Sequence, residues 1–258
     1  MRIPEKRRIE LMNLIQQEKT LSVEKIASLF NVSPITVRRD LEKLQERGLI
    51  SKVHGGAILK DSLVQEPVFD ERVKLFTEEK DKIAKEASKR IKDDDSIILE
   101  SGSTCLNVVR YLTNKNNLKI STAGIPIANE LARLLSYKHD FEVSVCGGIL
   151  RPKSNIYVGP HAVNFFKNIN VDISFIGAVA ISLKKGLSTA TQFDAEISRA
   201  IIESGRQVIL LTDSSKFETK SYINFVSLNE INEIITDKKI DEKIADNIRE
   251  MGIKLTLV

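Results

Sequence analysis

The stretch Val23–Gly56, VEKIASLFNVSPITVRRDLEKLQERGLISKVHGG, holds two helices, the turn between them and the start of a wing. Val23, Ile26, Ala27 and Phe30 recur at helical intervals and give the first helix one apolar face. Ser22 stands at its N-cap position, where a hydroxyl accepts a free backbone N–H. Asn31 then tolerates the left-handed conformation that a tight turn needs. Ser33-Pro34 opens the second helix, with proline at the first helical position, where its missing N–H costs nothing. Val37, Leu41 and Leu44 face inward, while Ser33, Thr36, Arg39 and Lys43 line the opposite side and Arg38 lies on the flank. An arginine fork fits a phosphate or the O6/N7 edge of guanine, and Thr36 can reach bases or phosphates. Residues 52–58 read as two short strands around Gly55-Gly56, a wing carrying Lys52 and His54 as supporting contacts. Ile9, Met12 and Ile15 mark a supporting helix upstream.

Charge agrees with this pattern. Residues 1–60 hold 12 Lys and Arg against 7 Asp and Glu, a net +5, whereas the whole chain is only +4, leaving −1 for residues 61–258. Positive charge concentrated on the helix-turn-helix is what phosphate binding requires, and double-stranded DNA is the expected partner.

The remaining 200 residues are enough for a second domain with its own core. No apolar run reaches the length of a membrane span, and the charged start is not followed by the apolar core of a signal peptide, so a cytoplasmic protein is expected. Cys105 and Cys146 lie far apart and form no metal-ligand pattern; reduced thiols are expected, with no metal or cofactor.

Residues 58–76 lack a clean period and contain Pro67, so they are read as a linker between a winged helix at 1–57 and a domain at 77–258. From Thr77 a helix carries Ile83, Ala84, Ala87 and Ile91 on one face. Eight short apolar runs then follow: 96–99, 119–122, 142–146, 173–179, 207–211, 224–228, 233–236 and 255–258, with helical segments at 104–112, 126–135, 161–166 and 194–204. Such alternation predicts an α/β fold, Rossmann-like, with a mostly parallel sheet covered by helices.

In such sheets ligands bind beyond the carboxyl ends of strands. Glu100-Ser101-Gly102-Ser103-Thr104 follows a strand and opens a helix, so that Ser101, Gly102, Ser103 and Thr104 offer hydroxyls and free N–H groups to an anion. Thr212-Asp213-Ser214-Ser215-Lys216 ends a later strand and brings Lys216 to neutralise it. Arg151, Asp172 and Asp194 are further candidates, for hydroxyl recognition or for support of the site.

These residues together resemble the DeoR family of bacterial transcriptional regulators. VSPITVRRDLEKLQERGLISKVHGGA is similar to that family's winged helix, and Glu100–Thr104 to its Asp-Ser-Gly-Thr-Thr phosphate loop. Gly147–Arg151, Asp172–Gly177, Gly186-Leu187-Ser188 and Asp213–Phe217 follow in the family's order. The resemblance implies a sensor fold shared with ribose-5-phosphate isomerase and a phosphorylated sugar or related metabolite as effector. It implies most often a repressor. Two positions depart from the family pattern: Thr122-Ala123 stands for Thr-Asn, and Ser198 stands for a lysine. A sugar-phosphate isomerase carrying a DNA-binding domain is the alternative. Against it, Ile176–Ala180 lacks the carboxylates with which that enzyme moves a carbon-bound proton. A structural nucleoid protein would explain the two departures but not the anion-binding residues. One recognition helix covers only a few base pairs, so a homodimer or homotetramer is expected, with Phe165-Phe166 and residues 231–235 as candidate contact surface.

Overall fold

The structure is a computed structural model that describes residues 7, 8, 10, 11, 14, 15, 18, 20–46, 50–53, 56–59, 66–136 and 140–258. At its amino-terminal end, helix α1 (Val23–Phe30) starts at Ser22, whose hydroxyl accepts the Lys25 N–H at 3.1 Å, and stops at Asn31 in the left-handed region at φ 50°. Ser33 caps α2 (Pro34–Glu46) by accepting the Thr36 N–H at 3.3 Å. Val37, Leu41 and Leu44 are buried against Ile26, Leu11 and Ile15. Three short antiparallel strands complete this unit in the order β1 (Thr20–Ser22), β3 (Gly56–Leu59), β2 (Ile50–Val53). The first of them, β1, gives the expected two-stranded wing a third strand.

Sequence patterning does not reveal the ion pair beneath α2. Asp40 is on the inner face, 4% exposed, and accepts from Arg7 Nε at 2.6 Å. A buried carboxylate needs a partner of this kind, and the pair ties the upstream helical segment to the recognition helix.

The larger domain is built on seven parallel strands: β4 (Ser96–Leu99), β5 (Lys119–Thr122), β6 (Glu142–Val145), β9 (Val171–Ile176), β12 (Gly205–Leu211), β14 (Glu233–Thr236) and β15 (Lys254–Leu257). Their order in space is β15-β14-β12-β9-β4-β5-β6, every neighbouring pair parallel. The central strands are buried on both faces and so read as continuous apolar runs rather than alternating ones. One face is covered by α4 (Thr77–Ser88), α5 (Ser103–Val108) and α6 (Ile125–Leu135), and the other by α7 (Pro160–Lys167), α8 (Gln192–Ser204) and α9 (Glu242–Glu250). From β4 the chain moves outward through β5 and β6, then returns to lay β9 on the other side of β4. The gap between β4 and β9 is therefore the point where strand order reverses, the place where such folds bind ligands.

Seven of the eight expected strands join this sheet. The eighth, β13 (Ile223–Val226), pairs instead with β11 (Gly186–Thr189), which pairs with β10 (Ala180–Ser182), in a separate antiparallel sheet. A further hairpin, β7 (Ile149–Arg151) with β8 (Ile156–Val158), follows β6. Within the segment read as a linker, α3 (Phe69–Lys74) forms a helix whose Phe69 is buried. Helix α8 runs into β12 without an intervening residue, and Gly205 packs so closely on Ser174 that a Cβ there would lie 2.5 Å from Oγ. The surfaces named for assembly contacts belong largely to the core: Phe166, Ile231, Ile234 and Ile235 are buried. Among the described residues no helix is long and apolar enough to cross a membrane.

Candidate functional site

The candidate residues fall on two surfaces. The first is the outer face of α2, where Ser33, Arg38, Arg39 and Lys43 are exposed and Thr36 is half-buried. Ser33 Oγ and Thr36 Oγ1 lie 2.9 Å apart, so the cap also orients the Thr36 hydroxyl at the start of the recognition helix. Ile35 stands 63% exposed beside them. Lys52 lies on β2, described in its backbone only, and His54 falls outside the described residues.

The second is a pocket at the carboxyl ends of β4, β9 and β12, the three strands around the reversal point. About 80 Å³ of it is open to the centres of water molecules, room for several waters or a small ligand. Ser101, Gly102, Ser103 and Thr104 form one wall, Gly177–Val179 the next, and Thr212, Asp213 and Lys216 the third. All five residues read from the sequence as candidates for holding an anion thus line one cavity, and Asp194 lines it too.

Lys80 and Arg72 were not found by sequence reasoning. Lys80 projects from α4, is 4% exposed, and its ammonium donates to the Arg72 carbonyl. Burial lowers its pKa to about 7; Asp213 pulls it upward, and Lys216 and Arg72 push it down. A signal was present: Lys80 lies in register with Ile83, Ala84 and Ala87 at i+3, i+4 and i+7, so the apolar face of α4 begins with a lysine. Arg72 lies on α3, inside the segment read as a linker, and Glu66, Leu75 and Phe76 line the pocket with it.

Carboxylates balance these cations. Glu100 is buried beneath the loop, accepting from the Ser198 hydroxyl at 2.6 Å and from the Gly177 N–H at 2.7 Å. Burial holds its pKa above the usual carboxylate value, against the pull of both bonds. Ser198, at the departure from the family's lysine, is therefore the partner of Glu100, while Ala123, at the other departure, is buried in the apolar core and does not line the pocket. Arg151 reaches the site through others. Its Nη1 lies 2.9 Å from Glu66, 2.7 Å from Asp194 and 3.0 Å from the Ser154 hydroxyl. Burial would lower the Arg151 pKa, but Glu66 and Asp194 outweigh it and hold it up.

Asp172 requires a correction. It stands second in β9, at the amino end of the sheet, where its carboxylate accepts from the Ser96 N–H at 3.0 Å and hydroxyl at 2.7 Å. The reading from order in the sequence placed it wrongly because a strand's functional end is its carboxyl end; Gly177, at that end of β9, faces the pocket. Cys105 and Cys146 are free thiols, raised by burial, Cys146 to about 12. Among the described residues no cluster of His, Cys, Asp or Glu could hold a metal ion.

The same two surfaces match two family profiles, the DeoR-like helix-turn-helix domain over residues 7–63 and the DeoR C terminal sensor domain over residues 75–238. The chain belongs to the DeoR family. It is a transcriptional regulator and not an enzyme, with DNA binding through the helix-turn-helix and effector sensing in the α/β domain. Similar proteins include an HTH-type transcriptional regulator of Haemophilus influenzae, 34% identical over 99% of this chain and 98% of that one. The glycerol-3-phosphate regulon repressor of Escherichia coli is 31% identical over 96% of each chain. The transcriptional repressor GlcR of Bacillus subtilis is 32% identical over 97% of this chain and 95% of its own length. Among solved structures, ribose 5-phosphate isomerase A of Methanocaldococcus jannaschii overlaps 54% of this chain and 53% of its own, at 19% identity and a TM-score of 0.38, too low to carry an argument.

Proposed function

We propose that this DeoR-family regulator is a cytoplasmic repressor of carbohydrate-metabolism genes, released from its operator by a phosphorylated sugar or a related phosphorylated metabolite. One observation carries the effector class: Lys80 and Lys216 converge with the Ser101–Thr104 loop on a single pocket. Two ammonium groups beside free N–H and hydroxyl donors form a site for a compact anion with several acceptor oxygens, which a phosphate monoester is. A neutral sugar brings Lys80 and Lys216 no charge beyond that of the neighbouring Asp213. The names of the relatives support the same reading, one being a glycerol-3-phosphate regulon repressor and another the repressor GlcR. In this reading Arg151 and Asp194 brace the sugar-facing side, and Glu100 sets its floor.

Operator contact falls to Ser33, Thr36, Arg38, Arg39 and Lys43 on α2, with Lys52 and His54 on the wing. Residues 1–57 act as the DNA-binding unit and residues 77–258 as the sensing and assembly unit, in a homodimer or homotetramer.

Calorimetry with glycerol 3-phosphate, glucose 6-phosphate and fructose 1-phosphate, each beside its unphosphorylated parent, tests the effector class. Binding of a phosphorylated member, weakened operator affinity in its presence, and loss of that response in Lys216→Ala are expected. Equal binding of a neutral parent refutes the site.

A further inference from the structure

Neither family profile covers residues 64–74, yet that segment supplies the pocket with a guanidinium. Arg72 is 16% exposed at its side chain, and its Nε and Nη2 atoms are fully buried without a hydrogen-bond partner among the described residues. Glu66 lies 3.3 Å from Nη2 as an ion pair, and the Phe69 ring lies under the guanidinium, 5.3 Å from its centroid. Buried N–H donors left unused are costly, and a guanidinium presents them as a planar fork that fits two oxygens of one anion. Burial lowers the Arg72 pKa against the pull of Glu66, Glu100 and Asp194. The side chain is thus held in place with part of its donor capacity unspent, on the wall of a cavity.

Directly after this segment the chain reaches the other domain. Leu75 and Phe76 line the pocket, and they also belong to the buried cluster formed by Leu11, Ile15, Ile26, Phe30 and Leu41 of the winged helix. Arg72 and this pair are joined tightly. The Leu75 N–H donates to the Arg72 carbonyl at 3.3 Å, the Lys80 ammonium donates to the same carbonyl, and the Lys80 N–H donates to the Phe76 carbonyl at 3.0 Å. Phe76 holds φ at 52°, a conformation that a bulky side chain adopts only under constraint from its surroundings.

We propose that Arg72 binds the effector's phosphoryl oxygens, and that α3 with Leu75 and Phe76 carries occupancy of the pocket to the winged helix. The proposal rests on the phosphorylated-effector reading and adds to it a ligand contact from outside the sensor profile and a route to the DNA. A ligand that draws Arg72 inward must move Leu75 and Phe76, because the hydrogen bonds around the Arg72 and Phe76 carbonyls make them one piece. Binding energy then appears as a difference between two placements of the winged helix, as any effector response requires.

The test uses the full-length protein and whichever of glycerol 3-phosphate, glucose 6-phosphate or fructose 1-phosphate the unsubstituted protein binds, in two assays. Calorimetry reads effector affinity; fluorescence anisotropy reads operator release at saturating effector. Arg72→Met is expected to weaken effector binding about tenfold or more, the scale of a charge-assisted hydrogen bond. Arg72→Lys is expected to fall between the two. Should Arg72→Met fail to fold, Arg72→Lys decides, with lowered affinity at an unchanged melting temperature as the supporting result. Phe76→Leu, brought to saturation, is expected to release operator less than the unsubstituted protein. Effector affinity within twofold of normal in the Arg72 variants overturns the contact, and full release in Phe76→Leu overturns the route. If none of the three phosphates binds the unsubstituted protein, the underlying reading fails and takes the proposal with it.

Discussion

Replacing Lys80 by methionine should stabilise the α/β domain and silence it as a sensor. A free lysine titrates at 10.5, and burial in the folded protein lowers Lys80 to about 7. At pH 7 the unfolded chain holds this proton fully and the folded chain about half, so at ~1.4 kcal/mol per tenfold the buried ammonium costs about 4 kcal/mol. Methionine keeps the length and apolar stem without the charge. It gives up the bond to the Arg72 carbonyl, about 1 kcal/mol, and that oxygen still receives the Leu75 N–H. A net gain of about 3 kcal/mol at pH 7 follows. The pH dependence carries the same signature. Between pH 7 and 10.5 the unfolded state binds more protons at this site than the folded one, so its contribution to stability rises with pH. In Lys80→Met that contribution is absent. Urea unfolding followed by circular dichroism at pH 7 and pH 9 should show the variant's advantage shrinking to about 1 kcal/mol at the higher pH. A variant less stable than the original at pH 7, or an advantage that does not change with pH, refutes the reasoning. The same variant should bind phosphorylated effector far more weakly, because the lysine's electrostatic strain is what an entering anion relieves.

Three other outcomes are expected. Arg39→Ala should cost about 1–3 kcal/mol of operator affinity, felt mainly at one base position, in a mobility-shift series over single-base operator variants. Asp40→Ala leaves Arg7 buried and unpaired, so it should destabilise the winged helix by about 3–5 kcal/mol and remove DNA binding through loss of structure, seen as a separate early transition in thermal melts. Light scattering should show at least a dimer at working concentration or on operator DNA; a monomer in both settings contradicts the two-half-site reading.

The sequence was most legible where one physical rule governs a whole segment. Val37, Leu41 and Leu44 repeat at helical spacing, Asn31 occupies a position that needs a positive φ, and seven of the eight apolar runs from Ser96 onward fall on strands of the parallel sheet. Legibility failed where tertiary placement decides. Asp172 and Gly177 sit at opposite ends of one strand, and only the direction of that strand separates a structural carboxylate from a pocket wall. Residues 223–226 have the composition of a sheet strand but pair with β11, because a second sheet competes for them. Arg72 looks like one more surface charge among Asp70, Glu71 and Lys74, and nothing local distinguishes a buried guanidinium from an exposed one. The pairing of Glu100 with Ser198 spans 98 residues, so no window along the chain contains it.

The direct junction of α8 with β12 gives the pocket an unequal mechanical character. Asp194 and Ser198 stand on a helix that enters its strand with no residue to spare, pressed at Gly205 against Ser174, whose hydroxyl is bound to Ile201 of the same helix. That wall works as an anvil: it cannot slide along its axis without pulling β12 out of register with β9. Under the proposed route, displacement by an effector is therefore expected on the opposite jaw, formed by α3 and the start of α4. In that proposal the asymmetry gives the route a direction, from the pocket through Leu75 and Phe76 to the core of the winged helix.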